Sequence, residues 1–309
     1  MFQYLFNVQR ELGGSTALEV GYLGSHSYRL ERMFDWNETT PGLIGTVQSR
    51  KPYPEFTKVQ ENGNVAEAKY NSLAVKLTRR LHQGLSVLGG YTLSKSEDNG
   101  SGIRTLNGDT LFPQNSNCLD CEWGLSVFDV RHRFVASVLY ELPFGKDKPF
   151  LQDSVGGAIL GGWQISTILS KSSGFPRTVY SGTDRSNTGG GQDRPDVVAG
   201  QDPVLPGDQQ TIARWFNTNA YTLNALGTFG NAGRNTFFGP GITNVDASLI
   251  RNFRMRTKTL QFRLEAFNIL NNPIWNDPNT TISSGALYGT INSTRKPMRE
   301  VQLGVKFVF

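Results

Sequence analysis

Glu300-Val301-Gln302-Leu303-Gly304-Val305-Lys306-Phe307-Val308-Phe309 alternates apolar residues with polar or small ones almost throughout. Its odd-numbered positions are all apolar. Its even-numbered positions are Glu, Gln, Gly, Lys and Val, four of them polar or small. Successive side chains of an extended chain point to opposite faces, so this is a strand with one apolar face. A run of about ten residues, apolar on one side only, has the length of a tilted strand that crosses a bilayer. The same pattern also fits a buried edge strand of a soluble sandwich, and the rest of the chain has to decide between them.

Working outward, the two-residue period recurs. Leu260, Phe262, Leu264 and Ala266 alternate with Gln261, Arg263, Glu265 and Phe267; before them, Val245, Ala247 and Leu249 alternate with Asn244, Asp246 and Ser248. The turn between these two strands spans Arg254 to Thr259. Strands are also expected at Arg131 to Leu142 and from Trp163 to Leu169, the latter continuing as far as Phe175. The clearest hairpin sets Leu73, Val75, Leu77 and Leu81 against Leu85, Val87, Gly89, Tyr91 and Leu93 across His82-Gln83-Gly84. Arg79 shares that face near the turn, where a long basic side chain reaches back to the headgroups. The first hairpin pairs Phe2 to Leu12 with Thr16 to Tyr28 across Gly13-Gly14-Ser15, a tight glycine turn. Nine strands result.

The connections carry as much information as the strands. Short turns follow Leu12, Leu81 and Phe253, and a moderate one follows Leu142. Long loops are expected near 29–66, 95–130, 177–239 and 271–296, with Phe56 to Gln60 extending a hairpin above the main sheet. A structureless loop of roughly sixty residues counts against a compact soluble domain, but long loops on one side and short turns on the other are ordinary for an outer-membrane barrel. The expected fold is therefore all-β, an antiparallel up-and-down transmembrane β-barrel in partial form, occupying residues 1–309. With short turns on the periplasmic side, the last strand runs inward and leaves Phe309 at the periplasmic rim. Nine is odd, bacterial single-chain barrels have even strand numbers, and MFQYLFNVQRELGG has neither the basic start nor the apolar run of a signal peptide. The expectation is that the chain begins in mid-barrel, with any plug domain absent.

Composition agrees. The 309 residues include 34 glycines and 19 phenylalanines, only 18% are charged, and the net charge is +5. Mean hydropathy is −0.35. No run of eighteen apolar residues occurs, so no transmembrane helix is expected, which leaves strands untouched. Lysines and arginines are spread evenly rather than clustered, which argues against a nucleic-acid partner.

Candidate chemistry is sparse. Cys118-Leu119-Asp120-Cys121 lacks the further ligands of a zinc site and the βαβ context of a redox motif. In an exported protein it reads as a local disulfide bracing a loop; two free thiols are the other reading. Asp98, Asp120, Glu122 and Asp129 suggest calcium, yet no DxDxDG-like spacing appears and a solvated loop is the plainer reading. Gly189-Gly190-Gly191 lacks the Gly-Lys-Ser/Thr ending of a phosphate loop and reads as a flexible loop. Neither a Gly-x-Ser-x-Gly elbow nor His-Glu-x-x-His occurs. Glu141 and Glu265 are expected in mid-strand facing the lumen, where charged lining residues are ordinary. No catalytic residue, metal site or cofactor is assigned. Trp36, Tyr53, Phe56 and Trp123 in the first two long loops can stack on a sugar, pack on a peptide, or tie their loops together. Tyr4, Tyr22, Tyr91 and Tyr140 fit an interfacial aromatic girdle.

A family resemblance rests on several motifs in order. These are Pro52-Tyr53-Pro54-Glu55-Phe56, Tyr70-Asn71-Ser72-Leu73 and Gly90-Tyr91-Thr92-Leu93-Ser94-Lys95-Ser96, then Phe128-Asp129-Val130-Arg131-His132-Arg133-Phe134 and Tyr140-Glu141-Leu142-Pro143-Phe144-Gly145. Phe262-Arg263-Leu264-Glu265-Ala266-Phe267-Asn268 and the terminal strand complete the set. Over nearly its whole length the chain resembles the C-terminal barrel portion of a TonB-dependent receptor of the Oar-like type. The resemblance implies a bacterial outer-membrane barrel of about 22 strands, closed by an N-terminal plug. It also implies contact with TonB through a missing N-terminal part, and energised uptake or binding of an unknown extracellular ligand. The closing Phe309 with Val301, Leu303, Val305 and Phe307 before it resembles the C-terminal signal that the barrel-assembly machinery recognises. The partners so implied are outer-membrane lipid, that machinery, TonB and the ligand. A secreted all-β adhesin or carbohydrate-binding module is the alternative, and a small complete porin-like channel a third reading. The sandwich alternative requires the apolar rows to face each other across a core.

Overall fold

The computed structural model describes residues 1–102, 110–191, 193–255 and 258–309. Its frame is one antiparallel sheet of nine strands paired in chain order. These are β1 (Phe2–Gly13), β2 (Thr16–Asp35), β3 (Gln60–His82), β4 (Leu85–Asp98), β5 (His132–Glu141), β6 (Trp163–Ser172), β7 (Ile242–Met255), β8 (Lys258–Phe267) and β9 (Glu300–Val308). A two-residue strand, Gly124–Leu125, adds to the end of β4. The sheet is open, with β1 and β9 at its edges. The turn expected at Arg254 to Thr259 falls partly outside the described residues.

Register turns the separate alternations into one surface. Val8 lies opposite Val20, Val20 opposite Val75, Val75 opposite Tyr91 and Tyr91 opposite Phe134. At the other edge Leu249 pairs with Leu264, and Leu264 with Leu303. Directly opposed residues of an antiparallel pair share a face, so the apolar rows of all nine strands merge on one side. The other side carries Glu19 and Lys76, 3.6 Å apart, and Gln302 donating to Glu265 at 2.7 Å. Leu73, Leu77, Phe262 and Leu303 on that face are exposed, where a sandwich would bury them against a second sheet. Tyr4 and Tyr22 stack on that face at 6.0 Å and both donate to Asn71 Oδ1.

The strands are longer than the alternation alone suggests at one end. β2 and β3 stay paired out to Asp35 and Gln60, deep into the stretch read as loop from 29 to 66. The strand-like piece at Phe56 to Gln60 contributes only its last residue to β3. β4 likewise reaches Asp98. At the far end of the sheet β5 stops at Glu141, so Glu141 closes its strand instead of lying in the middle; Lys148 pairs with it at 2.6 Å. β6 ends at Ser172, short of Phe175.

A bulge interrupts β2 where it leaves the main sheet. Arg29 has φ 56°, and the pairing slips between Ser27 and Leu30, then slips on β3 beside Leu30 and Glu31. One extra residue exchanges the two faces of a strand. Below the bulge the odd residues Glu19, Leu23 and Ser27 share the polar side; above it the even residues Arg32 and Phe34 are the buried ones.

Candidate functional site

Four long connections, 36–59, 99–131, 173–241 and 268–299, leave the same end of the sheet and fold together into a cap. The other end carries the two-residue turn 14–15, the turn 83–84, and the connection 142–162.

The cap has its own apolar core. Phe216 stacks on Phe237 at 4.2 Å and meets Tyr288 edge-on at 5.3 Å, with Val179, Ala220, Tyr221 and Ala232 packed around them. Tyr288 comes from the fourth connection, so the third and fourth loops share one core. Burial raises the Tyr288 hydroxyl well above the ordinary phenol value, and the neighbouring Tyr221 adds to it. Two short strand pairs, Pro176–Arg177 with Phe237–Phe238 and Asp196–Val197 with Tyr221–Thr222, brace the third connection.

Beside this core lies a buried ionic cluster. Glu122 sits at the end of a 3-10 turn, Leu119–Glu122, and is 2% exposed. Arg194 Nη1 donates to both its carboxylate oxygens, at 3.0 and 2.8 Å. Arg32 Nη2 stands 3.7 Å away and Arg234 Nε 4.0 Å. Arg234 also donates to the Glu122 carbonyl at 2.7 Å and to Asp98 Oδ1 at 3.0 Å. Gln114 completes the joint: its N–H donates to Glu122 Oε1, and its side-chain oxygen accepts from the Arg194 N–H at 2.6 Å. Burial works to raise the Glu122 carboxyl, but Arg194, with Arg32 and Arg234, holds it below the usual carboxylate range. The cluster joins β2, β4 and the second and third connections.

A cleft opens near the top of β2, lined by Glu38, Lys51, Lys58, Phe112 and Gly189 among others. Burial raises the Glu38 carboxyl, Asp35 and Asp193 add to the rise, and the Ser116 N–H, donating at 2.6 Å, opposes it. One cleft wall is the Gly189 turn, where the Asp184 carboxylate accepts from the N–H groups of Thr188 and Gly189 at 3.0 and 2.8 Å. The next residue of that stretch, Gln192, lies outside the described residues.

The candidate residues distribute unevenly. Cys118 and Cys121 form a disulfide, with Cα atoms 5.4 Å apart, bracketing the turn that presents Glu122. Trp36, Tyr53 and Phe56 are exposed on the first connection. Buried Asn37 holds that segment: its amide donates to the carbonyls of Tyr53 and Phe56, and its oxygen accepts from the Tyr53 N–H. Trp36 donates to Glu61 at 2.6 Å and rests edge-on against buried Phe34. Trp123 stands apart from these three, with Lys69 Nζ of β3 5.2 Å from its ring centre. Val301, Leu303, Val305 and Phe307 line the outer side of β9, and Phe309 follows it, 91% exposed.

The acids read as calcium ligands or solvated loop are mostly neither. Asp98, Glu122 and Asp129 are buried; the first two face arginines, and Asp129 accepts from the Ser96 N–H at 2.6 Å. No group of His, Cys, Asp or Glu suited to a metal ion occurs among the described residues. Sequence reasoning missed Arg32, Arg194 and Arg234. No local signal sets them apart from the other arginines spread along the chain.

A family model described as outer membrane beta barrel domain matches residues 1–302. No curated protein matches the sequence. Among solved structures, the siderophore receptor PiuA from Acinetobacter baumannii is similar at 12% identity and TM-score 0.49, over 98% of this chain and 28% of that one. The outer membrane transporter YddB from Escherichia coli is similar at 10% identity and TM-score 0.49, over 98% and 32%. The ferripyoverdine receptor of Pseudomonas aeruginosa is similar at 11% identity and TM-score 0.46, over 98% and 26%. The chain thus spans about a third or less of the solved chains it matches. The matching family is one of membrane barrels, not enzymes. A largely apolar face carried through nine registered strands is what such a barrel turns toward lipid, and this chain belongs to the outer membrane beta barrel domain family, in the bacterial outer membrane.

Proposed function

We propose that the chain is part of a TonB-dependent receptor of the Oar-like type, a barrel that binds an extracellular ligand on its cap and takes it up at the expense of the proton-motive force. The observation that carries the reading is the asymmetry of the two rims. All four long connections converge on one end: a buried ionic cluster and a shared aromatic core join the second, third and fourth, and hydrogen bonds from Ser116 to Glu38 and from Asn187 to Gly42 tie the first to them. Rigidity in advance of binding lowers the entropic cost of capturing a ligand. Trp36, Tyr53 and Phe56, held out by Asn37, are the contacts proposed for a sugar or peptide ligand. Trp123, braced by Lys69, is a secondary contact at most. TonB is engaged through the N-terminal part of the receptor. The outer row of β9 with Phe309 is the surface proposed for the barrel-assembly machinery.

The test uses the full reading frame in its own host. Loss of this gene and loss of TonB should abolish growth on the same nutrient, and Trp36→Ala with Tyr53→Ala should raise the concentration of that nutrient needed for half-maximal uptake. Uptake that survives loss of TonB would leave a passive porin-like channel as the answer.

A further inference from the structure

The connection between β5 and β6 is unlike the turns at 14–15 and 83–84 on the same rim. Residues 143–162 fold back on themselves and include a short helix, α1 (Val155–Leu160). Ser154 caps it, accepting from the Gly157 N–H at 3.0 Å. The fold-back is tight: a Cβ on Gly157 would lie 1.8 Å from the Leu151 carbonyl oxygen, and one on Gly161 2.4 Å from that of Gly157. This is a built unit. Yet its outward side is apolar, with Val155 80% and Ile159 59% exposed, and Phe150, Leu151 and Leu160 exposed beside them. A compact unit that shows water this much apolar surface marks a contact with something else.

The position of α1 says what that is. Trp163 and Arg251 oppose each other at the short-turn end of β6 and β7, in the row that continues into Ile165 and Leu249, on the lipid-facing side. Trp163 Nε1 donates to the Ile159 carbonyl at 3.1 Å. Arg251 donates to the Ala158 carbonyl while its guanidinium lies 5.4 Å from the Trp163 ring and 4.3 Å from that of Phe253. So α1 is hung from the outside of the barrel wall, at the edge of the lipid-facing rows. Residues 143–162 carry Lys146 and Lys148 against Asp147 and Asp153, a formal balance of zero.

We infer that residues 143–162 form a membrane-seated foot: α1 lies in the headgroup zone of the phospholipid leaflet at the short-turn rim, with Val155 and Ile159 in the upper acyl chains. Trp163 and Arg251 set its depth, as aromatic and basic side chains do at that level. Its charge balance makes the seating apolar rather than electrostatic, so it does not depend on anionic lipid.

The test places a thiol-reactive fluorophore on the whole chain at Val155→Cys and, separately, Ile159→Cys, both exposed positions where the change is small. Leu303→Cys on the outer row of β9 and Asp208→Cys in the cap serve as lipid and water references. The proteins are reconstituted in phosphatidylethanolamine vesicles with and without phosphatidylglycerol. A spin label near the headgroup should cut emission at 155 and 159 at least roughly twofold, with iodide far less effective, and equally in both vesicles, as apolar seating requires. Iodide quenching at 155 and 159 that matches position 208, while 303 reports lipid, overturns the foot alone. The same result with 303 also in water overturns the foot together with the membrane placement of the strands. Lipid quenching only when phosphatidylglycerol is present overturns apolar seating.

Discussion

At the scale of the residue, Glu122 is the centre of the cap, and its partners determine what its loss costs. Removing one member of a buried, hydrogen-bonded ion group leaves uncompensated charge and costs about 3–5 kcal/mol. Glu122→Gln takes from Arg194 the carboxylate that both its short contacts reach. It should open the second and third connections to limited proteolysis while the membrane-spanning strands stay protected. The pH dependence follows from the direction of the shift. Glu122 is lowered in the folded cap, so its contribution is complete above the unfolded value of about 4.3 and is lost as pH falls through the lower folded value. Glu38 is raised, so its contribution runs the other way: it is full in acid and fades as pH rises through its folded value. Protease resistance of the cap should therefore fall as pH drops through the folded Glu122 value and decline separately as rising pH ionises Glu38, and Glu122→Gln should remove the acid step alone. Asn37 offers a separate check. Asn37→Ala deletes three hydrogen bonds to the Tyr53–Phe56 segment. That should raise amide exchange there without disturbing the Phe216 core, at a cost of about 1–3 kcal/mol for the groups left unsatisfied.

At the scale of the element, the two faces of each strand answer to different solvents. Leu303→Arg places a charge on the outer row of β9, where lipid exacts about 2–4 kcal/mol at the midplane; Gln302→Arg, one residue away on the polar side, should cost close to nothing. Refolding yield into vesicles, read by denaturant titration, should separate the pair. The β2 bulge gives a sharper contrast. Arg29→Gly keeps the extra residue and removes the left-handed strain of a side chain at φ 56°, so it should be neutral or mildly stabilising. Deleting Arg29 removes the extra residue and turns Arg32 and Phe34 to the outer side. The deletion should loosen the cap as much as Glu122→Gln does, with the lower hairpin intact.

At the scale of the whole molecule, one sheet serves two purposes. Its apolar side faces lipid, and its loop-bearing end supports a cap that packs with little help from the membrane. Cap and wall should therefore melt separately. Reducing Cys118–Cys121 should release the turn that presents Glu122 and lower the protease resistance of the cap first, leaving the membrane-embedded strands unchanged in hydrogen exchange. Labelling of intact cells should reach positions in 36–59 and 173–241 and spare the turn at 14–15, as the proposed orientation requires.

The strands were legible because lipid on one side of a sheet imposes a period of two that no other part of the chain can blur. Leu73-Val75-Leu77 and Val301-Leu303-Val305 announce their faces residue by residue. Loop ends were legible less well, since β2 past Tyr28 trades alternation for a bulge and continues as strand under polar side chains. The cap was not legible at all. Val179, Phe216, Tyr221, Phe237 and Tyr288 have no common period, and Arg32, Asp98, Glu122, Arg194 and Arg234 meet across stretches of chain that share no local signal. Local sequence determines which way a strand's side chains point, because the backbone geometry is repeated at every second residue. Only the tertiary structure decides which distant loops share a core and an ion cluster, because those contacts depend on where the strands set the loops down.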